Sequence, residues 1–224
     1  MKLNKLTRQI IAEFIGTTVF LAAVVGATAS ASPFGGVAVP VALGLMMVLF
    51  GDLSGGHFNP VISLFFFARR QITGAQFGGY VAAQLAGSVA GVALGATIWN
   101  QGANLTFNTG DILATPAVIV SELVGTTVLV WLFAKFAGSG KGNLAAPVVA
   151  AWVFAAGTFT STHAIANPAV TFGRFFTAVS GAGIQANVGV ELMLAQVGGA
   201  LLALILLTFV TEKGLAKAKK RKKA

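Results

Sequence analysis

The sequence predicts an all-α membrane protein in which six transmembrane helices and two re-entrant half-helices form an inverted repeat. Three observations carry that prediction. Of 224 residues, 56% are hydrophobic and only 9% are charged, against about 25% charged in ordinary soluble domains. The apolar residues fall in runs of about 20, the length that crosses a bilayer core. The second half of the chain also repeats the first.

The runs delimit spans at about 8–30, 36–52, 76–98, 115–137, 144–161 and 187–210. The fourth opens on Thr115-Pro116, an N-cap followed by a proline at the first helical position. Two further stretches, 54–68 and 162–177, do not fit a simple span. Each has a small-residue lead, an Asn-Pro pair and then about ten apolar residues, enough helix for about half a bilayer. A backbone broken at that depth survives only where it is buried in protein or lines a wet cavity, so the pair marks a candidate pore.

Charge fixes the orientation. With six spans and both termini cytoplasmic, every Lys and Arg except Arg174 falls on the cytoplasmic side. Five or seven spans would put the basic N-terminal and C-terminal clusters on opposite sides. The +9 net charge therefore reads as a topology signal that also touches lipid headgroups, and not as a nucleic-acid footprint. Residues 213–224 form a basic cytoplasmic tail.

The repeat comprises about 8–100 and 115–212 within one domain, 1–224. Ala12-Glu13-Phe14-Ile15-Gly16-Thr17-Thr18 matches Ser121-Glu122-Leu123-Val124-Gly125-Thr126-Thr127, Asn59-Pro60-Val61 matches Asn167-Pro168-Ala169, and Ala83-Gln84 matches Ala195-Gln196. Each half holds three spans, so the second is inserted upside down and the functional site lies at the midplane, where the broken helices meet. Gly87, Gly91 and Gly95, and Ala195, Gly199 and Ala203, give small faces for close helix packing. With no cysteine, and with His57 and His163 in different halves, no metal centre, disulfide or thiol chemistry is expected. No nucleophile–base pair suggests an enzyme.

Ser54-Gly55-Gly56-His57-Phe58-Asn59-Pro60 and Ala166-Asn167-Pro168-Ala169-Val170, with Glu13 and Glu122 in equivalent spans, resemble the signatures of the aquaporin, or major intrinsic protein, family. The resemblance implies a homotetramer in the plasma (inner) membrane, with one pore per subunit and no cofactor. It further implies passive conduction of water and small neutral solutes. Asn59 and Asn167 would cap half-helices whose positive ends meet, repelling cations while donating to the oxygen of passing water. Glu13 and Glu122 would hold the re-entrant loops, and His57 would pack within the first.

The chain departs from the family pattern at the outer constriction. Val170 stands where an arginine is usual, and Val61 replaces an alanine. Family spacing puts the other constriction positions at Val39, at Ala164, and at Ala155 or, with a linker two residues longer, Val153. Such an apolar ring should pass ammonia, hydrogen peroxide or urea beside water. Thr171 replaces the aspartate of glycerol facilitators, which counts against a glycerol specialist. Arg174, one turn beyond Val170, is a candidate vestibule charge. The alternatives are a secondary transporter, which would need free intramembrane charges, and an ammonium- or formate-type channel, which would need deep histidines.

Overall fold

The computed structural model describes residues 3–30, 32–101, 105, 107–108, 110, 112–137, 142–177 and 179–212. Residues 213–224, the expected basic tail, lie outside that set, as does Lys141. Among the described residues eight α-helices follow in order: α1 (Lys5–Ala29), α2 (Gly35–Ser54), α3 (Pro60–Ala68), α4 (Gly74–Ile98), α5 (Pro116–Ala137), α6 (Ala145–Phe159), α7 (Pro168–Gly173) and α8 (Ala186–Leu207). A 3-10 turn, Gly142–Leu144, leads into α6, and another, Arg174–Phe176, continues α7. Six of these elements are long and apolar enough to cross a membrane, and α3 and α7 are the two half-helices.

Local chemistry sets the helix ends. The Asn4 side chain accepts the Thr7 N–H at the start of α1, and Thr73 with Gln76 forms a capping box on α4. Thr115 Oγ1 accepts the Val118 N–H in front of Pro116. The second half-helix is shorter than the sequence suggests: α7 has six residues and then tightens into the 3-10 turn. Pro40 lies inside α2 and removes the donor that would pair with the Gly36 carbonyl.

The halves pack in parallel fashion, α1 most extensively on α4 and α5 on α8. Small residues make this possible. A Cβ at Gly87 would lie 2.6 Å from the Phe14 carbonyl oxygen, and one at Gly199 2.7 Å from that of Leu123. The backbones touch there, as small-xxx-small faces require. Outward-facing Leu45, Val48, Leu49 and Leu194 are more than half exposed, a surface suited to hydrocarbon. A core including Phe20, Leu43, Met47, Phe58, Ile62, Phe133 and Val170 surrounds the half-helices.

Candidate functional site

The two Asn-Pro motifs meet at the centre of the bundle. Each asparagine caps its own half-helix: Asn59 Oδ1 accepts the Val61 N–H at 3.0 Å, and Asn167 Oδ1 accepts the Ala169 N–H at 2.9 Å. Pro60 and Pro168 occupy the first helical turn, where a missing N–H costs nothing. The side-chain amides then cross between the repeats. Asn59 Nδ2 donates to the Ala166 carbonyl and Asn167 Nδ2 to the Phe58 carbonyl, both at 2.9 Å. An amide nitrogen carries two N–H groups, so each asparagine retains one. Both line a cavity of about 430 Å³. Val61 and Ala169 are buried behind them, and neither lines the cavity.

Two glutamates hold the loops that deliver these motifs. Glu13 Oε1 accepts Ser54 Oγ–H and the His57 N–H at 2.6 and 3.0 Å. Its Oε2 accepts the Phe58 N–H and Gln84 Nε2 at 2.6 and 2.8 Å. Glu122 repeats the arrangement, accepting the Ile165 N–H, the Ala166 N–H and Gln196 Nε2. Both acids are fully buried, with their acceptor sites directed at loop backbone. His57 packs between Phe66, Tyr80 and Phe133, with Nδ1 3.0 Å from Ser63 Oγ, and also borders the cavity. Among the described residues no cluster of His, Cys, Asp or Glu could hold a metal ion.

The loop backbones are strained in matching places. Gly55, Gly56 and Phe58 have φ of 94°, 60° and 46°, and their counterparts His163, Ala164 and Ala166 have 55°, 50° and 46°. Glycine relieves the first loop. In the second, a histidine and two alanines adopt the left-handed conformation, as Phe58 does in the first, which costs about 1–2 kcal/mol each.

Of the expected constriction residues, Val39, Val153, Ala164 and Val170 all line the cavity. Ala155 does not; it is exposed on the opposite side of α6. Val149, Val153 and Gly157, spaced by four, share the lumen face, and a residue two positions on from Val153 points away. The linker from α6 to Asn167 is therefore two residues longer than the direct spacing assumes. Thr171 also stays out of the cavity: it is buried, and its Oγ1 accepts from Gln196 Nε2 at 3.0 Å.

Six crossings put the start of α1 and the end of α8 on one face, so the segment after α6 enters from the other. On that far face Arg174 lines the cavity, its Nε donating to the Ala182 carbonyl and its Nη2 to that of Gly181. Thr158, Thr162, His163, Gly36 and Pro40 also line it and were not expected. A proline within an apolar span was the available signal for the last pair; the threonines carried none.

Comparison with known proteins agrees with this geometry. Residues 1–163 match the model of the family described as major intrinsic protein. The chain is 34% identical over 221 residues to aquaglyceroporin AqpS of Rhizobium meliloti (strain 1021), covering 92% of this chain and 91% of the relative. It is 32% identical over 136 residues to an aquaglyceroporin of Toxoplasma gondii, half of whose length is matched. Its fold superposes on the X-ray structure of the aquaglyceroporin from Plasmodium falciparum with a TM-score of 0.75 at 20% identity, covering 93% of this chain and 98% of the other. With both half-helices in place and the match running through most of its length, the chain belongs to the major intrinsic protein family, whose members are membrane channels and not enzymes.

Proposed function

We propose that the protein is a passive channel for water and other small neutral solutes, among them ammonia, hydrogen peroxide and urea, and that it excludes protons and ions. One observation carries the reading: two asparagines, each with an uncommitted N–H, flank the same cavity where two half-helices meet. A water passing them turns its oxygen to both donors, which breaks the hydrogen-bonded wire along which a proton would hop. A cation meets the positive helix ends after losing its hydration.

Val39, Val153, Ala164 and Val170 form the outer constriction, with neither ring nor charge. Arg174 stands beyond it and adds a positive charge to the outer vestibule, in place of the arginine that Val170 displaces. With Thr171 out of the lumen, its identity gives no ground for ruling out glycerol, and the names of the relatives make glycerol a solute to test. The protein acts as a homotetramer in the plasma (inner) membrane with both termini cytoplasmic, its two halves, 8–100 and 115–212, making one domain. Family membership and the engagement of both glutamates by loop backbone leave no support for coupled transport.

Stopped-flow light scattering of proteoliposomes tests the proposal. The expected result is fast water flux with low activation energy, unaffected by proton or sodium gradients, and flux of urea, ammonia or hydrogen peroxide above empty liposomes. Fluxes no faster than empty liposomes, or fluxes that require an ion gradient, would overturn it.

A further inference from the structure

The polar groups of the vestibule have a use beyond repelling cations. Among the described residues no carboxylate lines the cavity, and Arg174 is the one Lys or Arg that does. Its guanidinium has five N–H groups. Two are held by the Ala182 and Gly181 carbonyls, which fixes the group in place and leaves three without a partner among the described residues. No carboxylate pairs with it among the described residues. The oxygens of Glu122 are taken up by Ile165, Ala166 and Gln196. Thr162 lines the same cavity with 3% exposure, and its hydroxyl has no partner. His163 Nδ1 lies 2.9 Å from the Gly157 carbonyl, which can only accept, so Nδ1 is the donor of that bond.

We infer that the outer vestibule is a binding site for a small oxyanion, held by the Arg174 guanidinium. This rests on the placing of the Arg174 charge in the vestibule. A planar carboxylate matches the guanidinium fork, and a restricted cavity with charge of one sign concentrates the opposite ion. The anion stops there, because the valine and alanine ring beneath has nothing to replace its hydration shell. While bound, it occupies the entrance and slows the neutral solutes that pass.

Fluorine NMR of trifluoroacetate with the purified full-length channel in detergent tests binding without any flux. Trifluoroethanol, which shares the CF₃ group and lacks the charge, corrects for partition into the micelle. Wild-type protein is expected to broaden the trifluoroacetate line several-fold more than Arg174→Gln does, with Arg174→Lys between them and trifluoroethanol unaffected by either change. If Arg174→Gln fails to fold, the drop in Arg174→Lys decides, because a lysine keeps the charge and lacks the fork. Equal broadening in wild type and variants would assign the binding to basic residues elsewhere and overturn the proposal, as would no broadening beyond the trifluoroethanol control. External trifluoroacetate should also halve urea flux, relative to gluconate, in wild-type proteoliposomes and not in Arg174→Gln. Flux without binding would remove the anion site and leave the channel; binding without flux would do the reverse.

Discussion

Asn59→Asp tests the crossing point most directly. Aspartate has the same shape and caps α3 equally well, because either side chain accepts the Val61 N–H. The donation to the Ala166 carbonyl is lost, and a carboxylate oxygen comes to face it instead. A full negative charge also appears where two half-helix ends supply about +0.5 each, so the positive field is cancelled. For unit charges about 4 Å apart at an effective dielectric near 20, that field is worth about 4 kcal/mol. At about 1.4 kcal/mol per tenfold, cation leak should rise by roughly three orders of magnitude. The assay is proton and sodium flux into dye-loaded proteoliposomes under an imposed potential, with water flux followed in parallel. Ion flux as low as wild type beside intact water flux would refute the field argument.

Four other outcomes are expected. Val170→Arg should narrow the constriction, cutting urea flux far more than water flux in the same liposomes; an unchanged ratio would mean that Val170 does not set selectivity. Val153→Phe should slow solute flux while Ala155→Phe leaves it unchanged, since only the first faces the cavity; the reverse order would restore the direct spacing. Glu13→Gln turns an amide donor toward the Phe58 N–H and orphans a buried group at a cost of about 1–3 kcal/mol. Its melting temperature in detergent should fall by several degrees, and a wild-type value would deny the carboxylate its role in holding the loop. Gly87→Val should lower folded yield sharply on size exclusion, because even its Cβ would lie 2.6 Å from the Phe14 oxygen.

Much of this was legible in the chain. Spans follow from the lengths of apolar runs, and half-helices from a proline at a helix start at the wrong depth. The pair Glu13 with Glu122 advertised a shared scaffold, because polar residues repeated inside spans need partners, whereas Gln84 and Gln196 were legible only as a repeat. Lumen-facing positions were harder. Whether Ala155 or Val153 faces inward depends on how many residues the turn after Phe159 consumes, and periodicity does not record that. The strained second loop was hidden for a related reason: His163 and Ala164 adopt a backbone that only glycine, as at Gly55 and Gly56, signals in sequence. Arg174 was recognisable as a stray charge, but the carbonyls that tether it belong to a loop with no motif of its own.

The reciprocal amide bonds also bear on how this molecule can move. Inverted repeats in carriers rock against each other about a fixed site. Here the pivot is bolted twice, by Asn59 to the loop of one repeat and by Asn167 to the loop of the other. Tilting one half against its partner would shear both bolts at once. Exchange of access between the two faces is thus blocked at the midplane. Any change in conductance must then come from side chains or loops at the mouths, leaving the centre of the passage as the part that stays still.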